Sequence, residues 1–171
     1  MKRTILSVCV FAMTAFSGAA HAGRLYMFSP GLHGDASQVE GGIVLDSFQF
    51  STSVPISERR QPGRPHLSEV TITKPLDASS ADLAFYAVTG RAMNVVSIEL
   101  YKPNTSPPVL DAVIELRNVY VTHHMMTGAG GPSSDLPSES ITLNYGSILW
   151  TYYKDGEPMP PFSWNRARNT P

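Results

Sequence analysis

The sequence predicts a mainly β protein: a small β-barrel of bulged antiparallel strands with one flanking α-helix at about residues 79–89. Fourteen prolines and thirteen glycines in 171 residues are typical of a turn-rich β protein. Three apolar segments alternate as strands do and change parity midway, which requires a bulge or a sharp bend. Because strands that coil round a small barrel change direction at bulges and glycines, we favour a barrel over a two-sheet sandwich.

Residues 1–22 are predicted to be a secretory signal peptide. Two basic residues precede an apolar run at residues 5–16, and Ala20-His21-Ala22 places small residues at the positions that signal peptidase reads. The apolar run is short and interrupted by polar residues, so a permanent transmembrane helix is the weaker interpretation. We therefore expect export to the periplasm or the cell exterior, with no stable membrane insertion after cleavage.

The charge of the remaining chain is close to balanced. Cleavage removes two of thirteen basic residues and none of fourteen acidic residues, which leaves a formal charge of −3. Such a chain has no strong field for a polyanion, so we expect no nucleic-acid partner. The single cysteine, Cys9, is also removed, and the exported protein must be stable without disulfides. It therefore needs a good core, a subunit interface, or both.

The first predicted strands lie near the start of the mature chain. A short apolar strand occupies residues 24–28, and a second segment occupies residues 43–51. In the second segment, Ile43 and Leu45 face one way by alternation, whereas Phe48 and Phe50 fall on the opposite parity. This change predicts a bulge or bend near Asp46-Ser47.

A strand–helix–strand unit follows at residues 70–102. Ser79 is predicted to cap the helix with its hydroxyl, and Asp82 to complete a capping box. Gly90 is predicted to end the helix in the left-handed conformation. Leu83 is the expected anchor of the apolar stripe, against the outside of the barrel or across one end.

Two later segments repeat the change of parity. It falls between Leu116 and Val119 in residues 113–123, and at Gly146 in residues 141–153. We expect both segments to bend at these points.

Three segments are predicted to lie outside the core. Residues 53–66 contain three prolines and three arginines, cannot form a central strand, and are longer than an ordinary hairpin loop. Residues 126–138 are predicted to be a flexible connection. Residues 156–171 form a Pro-rich polar tail, which we expect to be an extended or disordered appendage to a domain at residues 23–155.

Several motifs together resemble a known family. TITKPLD at residues 71–77, VSIELYK at 96–102 and SESITLNYGSILWTYY at 138–153 occur in this order. The sequence is similar in these segments to the Hcp (haemolysin-coregulated protein) family, which forms the tube of type VI secretion systems. The resemblance spans roughly residues 23–153 and is most specific at residues 139–152.

The resemblance implies a structural protein without catalytic residues or cofactors. It implies a β-barrel with a flanking helix that assembles head-to-tail into hexameric rings, which can stack into a tube and hold effectors in the lumen. Secretion-system effectors or tip proteins are therefore expected partners besides the chain itself. The family's long loop reaches a neighbouring subunit, so Arg59, Arg60 and Arg64 are the candidate interface residues.

Other chemistry receives little support from the sequence. His123 and His124 are adjacent, and neighbours on a strand point to opposite faces, so they are poorly placed to chelate one metal ion. Gly128–Gly131 lacks the Lys-Ser/Thr that follows a phosphate-binding loop. There is no HExxH, no GxSxG and no cysteine nucleophile in the mature chain.

Two local alternatives and two rival functions stay open. The three arginines suit an anion patch or a solvated loop as well as an interface. Tyr145, Trp150 and Tyr152 suit a ligand-stacking surface, although core and rim packing explains them more simply. The first rival function is an exported, monomeric binding module. The second is an enzyme with a clustered Ser/His/Asp site.

Overall fold

The computed structural model describes residues 24–130 and 137–171, and the predicted signal peptide lies outside them. Within these ranges, no helix has both the length and the apolar character needed to cross a membrane. The elements, in chain order, are β1 (Arg24–Phe28), β2 (Ile43–Leu45), β3 (Ser47–Gln49), β4 (Thr52–Ser53), β5 (His66–Leu67), β6 (Val70–Pro75), α1 (Ser80–Thr89), β7 (Met93–Tyr101), β8 (Leu110–Thr127), β9 (Ser138–Asn144), β10 (Ser147–Lys154), β11 (Glu157–Pro158) and β12 (Phe162–Asn165).

Ten strands form one antiparallel sheet, which confirms the mainly β prediction. The main path runs β2-β1-β7-β8-β9-β6-β3, and β10 pairs with β8, β11 and β12. Hydrogen bonds do not close this sheet into a barrel, because its end strands β2 and β3 do not pair with each other. Instead they are consecutive in the chain, separated only by Asp46, and β2 contacts β6 near the other end. The sheet therefore curls until its ends meet through the backbone.

The predicted bend near Asp46-Ser47 is the point where this strand changes partners. β2 pairs with β1, whereas β3 pairs with β6. The Asp46 N–H donates to the carbonyl of Thr73 over 2.8 Å, so the bend itself is tied to β6. The change of apolar parity in the sequence thus corresponds to a real bend.

The two later bends face each other. β8 pairs with β10 before the bend and with β9 after it, so β9 and β10 follow β8 as one bent ribbon. On β8 the bend lies at Asn118, where φ is 52°, and on the opposite side it lies at Gly146. The Gly146 N–H donates to the Arg117 carbonyl at 2.9 Å. A side chain at Gly146 would approach Asn118 Cβ to 3.3 Å, which explains the glycine.

One buried cluster lies inside the curled sheet and extends under the helix. It includes fully buried residues from β1, β2, β6, β7, β8, β9 and α1: Met27, Ile43, Val70, Ile72, Leu83, Val96, Ile98, Leu116, Val119, Ile141 and Leu143. Leu83 is buried in this cluster and anchors the helix, as predicted, and α1 packs against β8.

The two ends of α1 compare differently with the prediction. Gly90 adopts φ 61° and its N–H donates to the Tyr86 carbonyl, as predicted. At the other end, Ser79 forms no side-chain cap. Asp77 Oδ1 accepts from the Ser79 N–H at 2.9 Å, and Ser80 Oγ accepts from the Asp77 N–H at 3.0 Å.

The predicted capping box of Ser79 and Asp82 is therefore replaced by hydrogen bonds around Asp77, just before α1. A carboxylate is the stronger acceptor, and Asp77 is held close by a buried ammonium group at 2.8 Å. The hydroxyl of Ser79 donates to this same carboxylate at 2.6 Å instead of capping the helix.

The C-terminal residues differ from the expected appendage. β11 and β12 both pair with β10, and Ile148 lies opposite Trp164 in the register. Trp164 packs against the core, and the Arg166 N–H donates to the Gly146 carbonyl at 2.9 Å. Proline-rich composition indicated disorder, but the exposed edge of β10 offers backbone partners that the tail can use.

Candidate functional site

The segment predicted as a long loop forms a narrow β-hairpin, which we call the arm (residues 52–67). Its base is the β4–β5 pair, with Thr52 opposite Leu67. An isolated bridge joins Ile56 to Pro62 farther out, and a turn from Ser57 closes the tip. The arm pairs outside the main sheet, in agreement with the prediction that it is no central strand.

The arm is exposed along its length. Every residue from 51 to 64 is exposed, and Ile56 leaves 60% of its surface in solvent. Arg59, Arg60 and Arg64 take part in none of the salt bridges among the described residues. A two-stranded hairpin alone is marginally stable in water. An ordered arm of this kind is therefore suited to packing against another surface.

A concave surface lies between the base of the arm and the C-terminal strand β12. Its polar part has a volume of about 640 Å³ and is lined by residues that include Phe50, His66, Glu69 and Arg166. A smaller part of about 290 Å³ lies beside it. An apolar part of about 320 Å³ includes Leu67, Phe162 and Trp164.

Arg166 is the most firmly held cation at this surface. Its Nη1 donates to the Tyr145 carbonyl at 3.2 Å, and its guanidinium lies 4.6 Å from the centre of the Tyr145 ring. The Tyr145 hydroxyl in turn donates to the Ser68 carbonyl at 2.9 Å. Sequence reasoning missed Arg166 because it placed the residue in an extended or disordered appendage. The aromatic and basic composition of residues 162–168 was the available signal.

The three aromatic side chains considered as a stacking surface separate into two groups. Tyr145 is buried in the core. Trp150 and Tyr152 are 44% and 50% exposed on β10, and Trp150 meets the Phe50 ring edge-on at 6.1 Å. Tyr145 thus packs in the core and the other two lie at its rim, in agreement with the simpler of the two interpretations of the sequence.

Burial shifts the ionisation of two tyrosines. Burial raises the pKa of Tyr145, and the charge of Arg166 partly opposes this effect. Burial also raises the pKa of Tyr101, with a further contribution from its 2.6 Å hydrogen bond to Glu99. The folded state thus favours the neutral phenols. The stability that they contribute is complete below the ordinary tyrosine value of about 10 and is lost as pH rises through the folded values.

We expect Tyr101 and Tyr145 to ionise in a late phase, above the ordinary tyrosine value of about 10, in an alkaline titration followed by phenolate absorbance. The late phase should coincide with unfolding measured by circular dichroism. Tyr101→Phe and Tyr145→Phe should each remove one late group. Seven tyrosines that titrate together near the ordinary value would contradict this assignment.

A second polar cluster lies below the helix N-terminus and was not predicted. Lys74 Nζ lies 2.8 Å from Asp77 Oδ1 and 3.0 Å from Glu139 Oε2, and it donates to the Pro75 carbonyl at 2.8 Å. Ser80 Oγ donates to the same Glu139 oxygen at 3.0 Å. Lys74 and Glu139 are fully buried partners on β6 and β9. The signal in the sequence was the parity of Lys74, which continues the inward positions Val70 and Ile72.

The adjacent histidines diverge, as expected for a strand. His123 is exposed, whereas His124 places Nε2 3.4 Å from Glu139 Oε1. Within residues 24–130 and 137–171, no three side chains of the His, Cys, Asp or Glu type are grouped to hold a metal ion.

Comparison with known proteins relates this fold to a secretion machine. The family model "Type VI secretion system effector, Hcp" matches residues 26–152. A solved structure described as a type six secretion system protein has a TM-score of 0.77 at 20% identity, covering 87% of this chain and 99% of that chain.

Other solved structures share the fold at low sequence identity. Hcp1 from Salmonella typhimurium has a TM-score of 0.72 at 13% identity, covering 87% of this chain and 98% of that chain. Hcp1 from E. coli has a TM-score of 0.65 at 24% identity, with coverages of 84% and 97%. A search of curated proteins found no match. The family match spans most of the described chain, and we conclude that the protein belongs to the Hcp family of the type VI secretion system.

Proposed function

We propose that the protein is an exported, non-enzymatic structural subunit that assembles head-to-tail into hexameric rings. The observation that carries the proposal is the arm, an ordered hairpin that projects into solvent with exposed apolar and basic side chains. In a head-to-tail ring, each subunit presents one surface to a different surface of the next, and the ring closes when the rotation per subunit fits. Arg59, Arg60 and Arg64 are the proposed contact residues.

The distribution of charge supports contact between copies. The arm contains three arginines and one glutamate, a formal charge of +2. Since residues 23–171 carry −3 in total, the rest of this chain carries −5. An arm of one copy therefore meets a body of opposite charge on another copy, which favours association and its correct orientation.

The proposed partners are further copies of the chain, in stacked rings, and secretion-system effectors or tip proteins held by the rings. Export through the predicted signal peptide belongs to the same proposal. Fractionation of cells that express the full chain should place a protein beginning at residue 23 outside the cytoplasm. A full-length chain retained in the cytoplasm would contradict the export step alone.

Light scattering coupled to gel filtration tests the ring. We expect the mature chain at micromolar concentration to have the mass of a hexamer, and Arg59→Glu with Arg60→Glu to reduce that mass toward a monomer. Arg91→Glu with Lys154→Glu is the control, because it changes charge equally at exposed positions outside the arm.

The outcome also separates this proposal from its rival. A wild-type chain that is only monomeric would overturn the ring and favour an exported binding module. An arm variant that keeps the hexamer mass would retain the ring and exclude the arm arginines as its contacts.

A further inference from the structure

The smaller part of the concave surface beside the arm is lined by two arginines and a histidine from two separate segments. Arg64 and His66 come from the arm, and Arg166 comes from the turn after β12. Asn169 and Trp164 also line this space of about 290 Å³, which we call the basic groove. No carboxylate is among its lining residues. The groove is thus positive in a mature chain whose formal charge is negative.

The two arginines of the basic groove have no acidic partner in the part of the chain that the structure describes. The cationic members of the salt bridges among the described residues are Lys74, Arg117 and His124 only. Both arginines line the same space, and a bound anion offsets the repulsion between their like charges. A guanidinium also offers five donors in a planar fork, which matches a carboxylate or phosphate group.

Arg166 is organised before any ligand arrives. Its backbone N–H and its Nη1 are both held, by the carbonyls of Gly146 and Tyr145, and its guanidinium lies over the Tyr145 ring. Little side-chain freedom remains to be lost on binding, which favours affinity. Among the described residues, Nη1 makes the one hydrogen bond from this guanidinium to the protein, which leaves the other donors of the fork for a ligand.

The neighbouring polar part of the surface fixes where an anion would bind. It shares His66 and Arg166 with the basic groove, but it also contains Glu69. The Glu69 carboxylate accepts from Asn144 Nδ2 at 2.6 Å and from Thr122 Oγ1 at 3.2 Å. These bonds stabilise its charge, which repels an anion there. The Arg64 side is therefore the favourable one.

We propose that the basic groove binds an oxyanion, a carboxylate or phosphate group, between Arg64 and Arg166. Two ligands could supply such a group: an acidic side chain of a second copy of the chain, or a free phosphate-bearing molecule. The site does not depend on the ring, because all of its named residues belong to one chain.

Tryptophan fluorescence provides a direct test. The protein has two tryptophans, so Trp150→Phe leaves Trp164, in the wall of the groove, as the only reporter. Titration with inorganic phosphate, at an ionic strength kept constant with chloride, should change the fluorescence and reach saturation. Arg166→Gln and Arg64→Gln, each in this background, should weaken binding by about tenfold or more. Arg91→Gln, far from the groove in sequence and on no groove wall, is the matched control and should leave binding unchanged.

Each outcome decides the proposal. A change that does not saturate, or that is equal in Arg64→Gln and the parent, overturns it. Arg64 is exposed, so its replacement does not threaten folding and keeps the test valid if Arg166→Gln unfolds.

Light scattering in the same titration identifies the source. A loss of oligomer mass that follows phosphate occupancy assigns the site to an acidic side chain of a second copy. An unchanged mass assigns it to a free phosphate-bearing molecule. A protein that is monomeric without phosphate contradicts the ring and leaves the fluorescence test of the groove intact.

Discussion

Replacement of Lys74 with methionine is expected to lower the free energy of unfolding by about 3–5 kcal/mol, because it leaves buried carboxylates without their cation. The Lys74 ammonium lies within 3.0 Å of oxygens from Asp77 and Glu139, and the side chains of Lys74 and Glu139 are fully buried. Methionine fills a similar volume, so the loss comes from the uncompensated charge and not from a cavity. Urea denaturation of the mature protein measures the effect.

Lys154→Met is the matched control for this variant. Lys154 is exposed on β10, and its replacement should change stability by less than about 0.5 kcal/mol. Glu139→Gln combined with Lys74→Met removes most of the uncompensated charge. The double variant should therefore lose clearly less stability than the sum of the two single variants. Equal stability of Lys74→Met and Lys154→Met would show that the buried cluster contributes no such energy.

Replacement of Leu83 with alanine is expected to lower the free energy of unfolding by about 2–5 kcal/mol. Leu83 is fully buried in the central cluster, and α1 is held against β8 through this face. Alanine removes three carbon atoms from a packed site and leaves a cavity that rigid strands cannot fill. Thermal and urea unfolding of the variant give the loss directly.

Val88→Ala is the control on the same helix. Val88 is 83% exposed, so its side chain buries little apolar surface in the folded protein. Its truncation should therefore leave the free energy of unfolding within about 0.5 kcal/mol of the parent value. A Leu83→Ala protein as stable as Val88→Ala would mean that α1 is not anchored through Leu83.

The sequence predicts those features that depend on neighbouring residues. The parity changes at Asp46, Leu116–Val119 and Gly146 indicate bends, and the structure bends at each of them. Gly90 ends α1 as predicted because a residue without Cβ adopts φ 61° without steric strain. Periodicity and glycine placement act over a few residues, so the local chain carries this information.

Sequence reasoning fails where a residue distant in the chain determines the local structure. The predicted cap at Ser79 is absent because its hydroxyl donates to Asp77, whose carboxylate is held by a lysine from β6. The tail formed β12 because the edge of β10 was open to it. The predicted barrel is not closed by hydrogen bonds, because its end strands β2 and β3 are joined through the backbone of Asp46 and do not pair with each other. In each case the partner lies far away in the chain or depends on how the whole sheet curls.

The candidate site divides in the same way. Residues 53–66 stand out by their prolines and arginines, and the sequence alone marks them as exposed and irregular. That they form an ordered arm depends on the register of β4 and β5. The basic groove has no sequence signature, because its cations lie about a hundred residues apart and meet only when β12 pairs with β10. Local patterns therefore determined the strand-rich fold, its bends and the family, whereas long-range pairing decided which side chains face one another.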